Sequence, residues 1–432
     1  MTIAVFVFSL LGAMAIGMPI AYSLLVCGLA LMGYLTFTGL LPAFDSQILA
    51  QRFVDGADNF PLLAVPFFLM AGEFMNAGGL SRRIVNLAMA WVGHFRGGLG
   101  YVAVLAAVIM ASLSGSAVAD TAALSALLIP MMKRAGYSVN RSAGLIASGG
   151  IIAPVIPPSI GLIIFGVAGN VSITKLFLAG IVPGILMGAA IGGTWWWLAR
   201  REKVQPAPRV GLAERLKITA DGSLALALPV VILGGMKAGI FTPTEAAVVA
   251  AVYSFAVGKF IYRELHWSKL YGLILSAGKT TAIVMFLVAA AMVSAWLITV
   301  ANIPNEVAAL LKPFSGNKTL LMFVMMVIIV LVGTALDFTP TVLILTPVLM
   351  PVVLQAGIDP VYFGVLFIIN NAIGLITPPV GTVLNVVCGV AKISMDDAFK
   401  GVMPFLIAEL AVLFLLVFFP SIVLVPLKWM LH

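Results

Sequence analysis

The sequence predicts an all-α polytopic membrane protein made of one folding unit written twice, the second copy inverted against the first. Three observations carry this. Of 432 residues, 62% are hydrophobic and 9% charged, with a mean hydropathy of +1.16, whereas a water-soluble domain carries about 25% charged residues. Apolar runs long enough to cross a hydrocarbon core about 30 Å thick recur from end to end. Sliding the chain along itself by 221 residues lays Pro130 on Pro351, Pro157 and Pro158 on Pro378 and Pro379, and Pro183 on Pro404. The windows 124–183 and 345–404 hold five and six prolines, so chance gives roughly half a coincidence and four is informative. Gly136 and Gly357 coincide as well, as do Gly180 and Gly401.

Other classes drop out. No short alternating segments separated by hairpin turns are present, which argues against a barrel. The net charge of +8 is spread around the spans and says nothing of nucleic acid. Cys27 and Cys388 both sit in apolar runs, too far apart in the chain for a metal or redox spacing. Residues 3–17 are apolar without a basic segment before them, and read as a retained first span rather than a signal peptide.

Taken in order, residues 1–199 form the first repeat, 200–221 a linker and 222–432 the second. Within the first, 1–96 supply scaffold and an arm, 97–135 a hairpin and 141–170 a broken span. Residues 78–96, with Arg82, Arg83 and Arg96, suit an amphipathic helix lying at the inner interface. Arg96 on one side and Lys133 with Arg134 on the other place both ends of the next segment inside. That segment is too long for one span and carries the polar break Ser112–Asp120. A re-entrant hairpin solves both problems, because a polar break at membrane depth survives only when buried or lining a cavity. A span over 176–199 then returns to the linker, whose Arg200, Arg201, Lys203, Arg209, Arg215 and Lys217 with Pro206 and Pro208 mark it as cytoplasmic. In the second repeat 222–318 repeat the scaffold, with spans at 224–236, 245–257 and 281–299. A hairpin at 319–356 breaks at Gly333–Thr341 and opens outward, and 360–390 is the second broken span.

Each copy therefore has two polar interruptions, a hairpin tip and a broken span. Ser148–Ser159 in the first copy and Asn370–Thr382 in the second each contain consecutive prolines, which delete backbone donors and push the preceding residue out of the α region. The opened helix exposes carbonyl oxygens, and half-helix ends add their dipoles. Carbonyl, Ser, Thr and Asn oxygens make a hard-cation site of the sort that suits sodium. Two sets are expected: Ser112, Ser114, Ser116 and Asp120 with Gly149, Gly150 and Ser159, and Asp337, Thr339 and Thr341 with Asn370, Asn371 and Thr377. An anionic substrate suits the helix N-termini between them, near Ser116 and Thr339, with Asp120, Ser159, Asn371 and Thr382 around it. Small residues also let helices pack closely in lipid, and Asp120 and Asp337 can equally cap the hairpin arms. Glu73, Glu245 and Glu409 lie in or at the ends of other spans, where they can pair with bases or serve a proton relay.

These stretches resemble the large membrane subunit of the tripartite ATP-independent periplasmic (TRAP) transporters, the DctM-like permeases. The resemblance rests on Pro61–Glu73, Gly93–Leu99, Ser114–Asp120, Ile156–Ser159, Phe177–Gly184, Gly239–Ala246, and Asn370–Asn371 before Thr377–Pro379, and it covers essentially the whole chain. It implies an elevator-type transporter with a scaffold and a mobile domain holding both hairpins. It implies sodium-driven uptake without ATP across the bacterial inner membrane, and no enzymatic activity. It further implies a small DctQ-like membrane subunit, encoded separately, and a periplasmic DctP-like binding protein that delivers a carboxylate, a C4-dicarboxylate or a sugar acid. A stand-alone sodium–dicarboxylate symporter, a channel and an intramembrane enzyme are the rivals. The last needs a nucleophile with its base, or metal ligands, at one depth, and the chain has three histidines.

Overall fold

The computed structural model describes residues 2–431 except 42–43, 202–203 and 205–207. Lys203 and Pro206 of the basic linker lie outside the described residues. Among these there is no strand, and twenty α-helices follow one another in sequence. Among the described residues, nine segments are long and apolar enough to cross a membrane.

The 221-residue register holds for the helices themselves. Shifted by that amount, Ala117–Arg134 falls on Phe338–Gln355 end for end, and Gly98–Ser114 falls on Lys318–Ala335 to within a residue. Val139–Gly150, Ile160–Ala168 and Ile173–Ala199 fall on Pro360–Gly374, Thr382–Ala391 and Met395–Phe418 with starts within one residue and ends within three. The coinciding glycines have the same job. Gly136 (φ +89°) and Gly357 (φ +64°) each end a hairpin arm in the left-handed conformation. At both, the glycine N–H and the next residue's N–H bond back to the helix, to Lys133 and Met132 in one copy and to Leu354 and Val353 in the other. This is the Schellman closure, which satisfies the last carbonyls of a helix. Both proline pairs are joined by cis bonds.

Contacts exchange between the copies. Helix Ala117–Arg134 packs on Thr382–Ala391 of the other copy, and Phe338–Gln355 packs on Ile160–Ala168 in return. Such reciprocity is the mark of a two-fold relationship. Small residues allow the closest approaches, since lipid offers helices no hydrophobic drive to associate. A Cβ on Gly144 would fall on the Gly401 carbonyl, so helices Val139–Gly150 and Met395–Phe418 meet backbone to backbone. Phe165 packs against Phe363 and Phe367, at 6.1 and 5.6 Å between ring centroids, and so ties one broken span to the other.

Two elements differ from expectation. The stretch expected to be linker to residue 221 is helical from Leu212, in helix Leu212–Lys237. Arg215 is buried there, its guanidinium 3.5 Å from His94 Nδ1 and over the Trp91 ring, whereas Arg200, Arg201, Arg209 and Lys217 are exposed. The span expected at 281–299 is the end of a 34-residue helix, Trp267–Val300, about 51 Å long at 1.5 Å per residue. Its counterpart in the first copy is interrupted, as Ser46–Ala57 followed by Ala64–Ala77. The arm helix Leu80–Val92 is anchored by ion pairs from Arg82 and Arg83 to Glu264 at 2.8 and 2.7 Å, and from Arg83 to Asp221 at 3.1 Å.

Candidate functional site

Both hairpin tips open into one cavity of about 640 Å³. Ser114, Gly115 and Ser116 reach it from the first hairpin, Asp337, Phe338 and Thr339 from the second. Pro154, Ile160 and Gly161 of one broken span and Leu375 and Thr382 of the other complete that side. The remaining wall is helix Ala64–Ala77, through Leu69, Gly72, Glu73 and Asn76, with Thr280 and Val284 of Trp267–Val300.

At the first tip the chain turns at Gly115, whose φ of +63° few side chains tolerate. A Cβ there would meet the Pro158 carbonyl, so the tip rests directly on the first broken span. Ser116 caps the returning arm by accepting from Ala119 N–H at 3.4 Å. Ser114 Oγ donates to Asp120 Oδ1 at 2.5 Å, and Asp120, 2% exposed, keeps Oδ2 without a hydrogen-bond partner. Ser159 caps helix Ile160–Ala168 through Leu162 N–H and donates to the Pro154 carbonyl.

At the second tip Asp337 stands at the N-cap of its arm and accepts from Thr382 Oγ1 at 3.3 Å. Asn371 Nδ2 donates to the Phe338 carbonyl at 2.6 Å, and Asn370 Nδ2 to the Met326 carbonyl at 2.6 Å. Both asparagines leave Oδ1 buried and unpaired. Buried acceptors without donors are rare and costly, and three stand here: Asp120 Oδ2 just past the first hairpin tip, and Asn370 Oδ1 and Asn371 Oδ1 on the second broken span.

Not all the expected ligands lie at the cavity. Ser114, Ser116, Asp337, Thr339 and Thr382 line it. Ser112 donates instead to the Ile109 carbonyl of its own helix, Thr341 to Asp337 and Thr377 to Ile373. Gly149 and Gly150 serve close packing, against Ala107 and Thr121. Three polar residues outside the sequence motifs join this region: Asn76 and Thr280 on the cavity wall, and Thr121, whose buried hydroxyl lacks a partner as does that of Ser148 at the head of the first broken span. Glu73, considered only as a pairing or relay group, faces the cavity with Oε1 accepting from Ser276 at 2.7 Å. Glu245 closes a capping box with Thr242, and Glu409 is wholly buried and unpaired.

The family described as the tripartite ATP-independent periplasmic transporter, DctM component, matches residues 7–422. The chain belongs to this DctM family. It is 58% identical over 99% of its length to all of the 2,3-diketo-L-gulonate TRAP transporter large permease protein YiaN of Escherichia coli (strain K12). It is 38% identical to the C4-dicarboxylate TRAP transporter large permease protein DctM of Pseudomonas aeruginosa, covering 93% of this chain and 94% of that one. With the sialic acid TRAP transporter large permease protein SiaM of Vibrio cholerae it shares 36% identity, over 97% and 96% of the two chains. Among solved structures, the Alcanivorax borkumensis YdaH transporter superposes with a TM-score of 0.65 over 89% of this chain and 88% of that one, at 16% identity, a likeness of fold. The DctM chain described here is thus a multi-pass TRAP permease subunit and not an enzyme.

Proposed function

We propose that this permease imports a sugar acid across the bacterial inner membrane, driven by a sodium gradient, with both hairpins and both broken spans moving as one body against the scaffold. The observation that carries the reading is the shared cavity, where two hairpin tips and the ends of two proline-broken spans converge. Helices that end at a midplane cavity turn their positive ends toward an anion, and unwound carbonyls and side-chain oxygens favour a small cation. Asp120 Oδ2 is the acceptor a sodium ion would satisfy at the first site, and Asn370 Oδ1 and Asn371 Oδ1 those at the second. Within the family, the relative at 58% identity is named for a six-carbon keto acid, those at 38% and 36% for C4-dicarboxylates and sialic acid. This favours a sugar acid over a C4-dicarboxylate. The partners are a small DctQ-like membrane subunit and a DctP-like periplasmic binding protein that loads the cavity from outside.

Proteoliposomes holding the permease, its small subunit and the binding protein test this. Labelled 2,3-diketo-L-gulonate should accumulate only with an inward sodium gradient and only with the binding protein present. Accumulation without the binding protein points to a stand-alone symporter, and accumulation without sodium sinks the coupling.

A further inference from the structure

The cavity between the hairpins offers an incoming anion two carboxylates and no base. Glu73 and Asp337 both line it, and among its described lining residues there is no lysine, arginine or histidine. Side-chain ion pairing therefore cannot hold the substrate, and its orientation must follow from where the acids stand. Asp337 occupies the tip of the second hairpin. Glu73 belongs to neither hairpin and rises from helix Ala64–Ala77, fixed by the Ser276 hydroxyl at Oε1.

The first hairpin tip is different. It presents Ser114, Gly115, Ser116 and Ala117 to the cavity, while its own acid, Asp120, is buried and absent from the lining. Asp120 lies in the first turn of helix Ala117–Arg134 but turns away from the cavity to Ser114, so the lining at this N-terminus carries only serine hydroxyls and backbone, and its dipole favours a carboxylate. A substrate anchored there must send the rest of its length past acids. A carboxylate only accepts hydrogen bonds, so it pairs well with hydroxyl groups and badly with a second carboxylate, whose charge it repels.

We propose that Glu73 is a specificity residue, accepting hydroxyl groups from the far end of a polyhydroxylated monocarboxylate and turning away a second carboxylate. Asn76 and Thr280 share the wall with it. Asn76 Oδ1 accepts from Ser81 and Thr280 donates to the Ser276 carbonyl, which leaves the Asn76 amide N–H to donate to the same hydroxyls and the Thr280 hydroxyl oxygen to accept from them. The inference rests on the sugar-acid reading above and names the group that would enforce it. Hydrogen-bonding sites discriminate strongly against analogues that leave their polar groups unpaired, so the preference should be large.

The test is equilibrium binding of 2,3-diketo-L-gulonate and of succinate to the purified full-length permease with its small subunit, in sodium buffer. Wild-type protein should prefer the sugar acid. Glu73→Gln should cut the ratio of the two affinities by about tenfold or more, with succinate holding or gaining. Thr280→Val, which removes one hydroxyl and no charge, should weaken the sugar acid several-fold and leave succinate alone, and it serves if Glu73→Gln fails to fold. An unchanged ratio, or a parallel loss for both acids, in whichever variants fold overturns the role of Glu73 while leaving the transport reading intact. Wild-type protein that binds neither acid overturns both.

Discussion

The Asn371 side-chain amide donates to the Phe338 carbonyl across 2.6 Å, so the second broken span grips the backbone of the second hairpin at its tip. The same amide keeps Oδ1 buried and unpaired. One residue therefore both fixes the tip and offers a free acceptor, and a cation taken up by Oδ1 would reach the substrate cavity through that grip.

Asn371→Ala removes both functions. Leaving the Phe338 carbonyl unpaired costs about 1–3 kcal/mol, and the sodium concentration for half-maximal uptake should rise by about tenfold or more, since 1.4 kcal/mol is a factor of ten. Sodium-activation curves in proteoliposomes measure this. An unchanged curve takes Asn371 out of the cation site.

Two glycines with similar backbone and different surroundings give a paired comparison. Gly115→Ala places a Cβ on the Pro158 carbonyl at a φ of +63°, whereas Gly136→Ala at +89° meets nothing within 4 Å. The second should cost about 1–2 kcal/mol of local strain and keep uptake. The first should abolish uptake while the protein still inserts. Thermal melting in detergent beside the transport assay separates them.

The arm helix predicts an acid sensitivity. Burial pushes the Glu264 carboxyl up, but hydrogen bonds from Arg83 and Arg82 outweigh it and hold the group below the usual carboxylate range. A lowered carboxyl contributes stability above its unfolded pKa and loses it as pH falls through the folded value. The pairs are partly exposed, so the gain is under about 1 kcal/mol. Melting temperature should fall as pH drops through the acidic range, and Glu264→Gln should flatten that slope.

Inversion of the repeats has its own check. A reporter placed at Gly136 should be reached from the cytoplasm and one at Gly357 from the periplasm. Both on one face would contradict the inverted arrangement.

Much of the helical framework was legible because prolines and glycines interrupt an otherwise uniform apolar text. The proline pairs and the Ser-Gly and Asp-Phe-Thr breaks stand out at any window, and the breaks fall at Gly115–Ser116 and Leu336–Asp337. The cavity wall formed by Ala64–Ala77 and Trp267–Val300 was harder to see. Asn76 and Thr280 sit on helices with no proline pair or re-entrant break to mark them, and only tertiary packing brings them to the hairpin tips. The hydroxyls of Ser112 and Thr377 drew attention by proximity to the breaks, yet each bonds a carbonyl of its own helix, an option that residue type alone does not reveal.

The most direct test of the shared cavity is substrate protection of single cysteines. With Cys27→Ser and Cys388→Ser as background, Ser116→Cys and Thr339→Cys probe one hairpin tip each. Sodium together with 2,3-diketo-L-gulonate should slow modification by a small thiol reagent at both positions, and neither alone should do so fully. Rates that ignore substrate at either tip would show that the hairpins do not enclose it together.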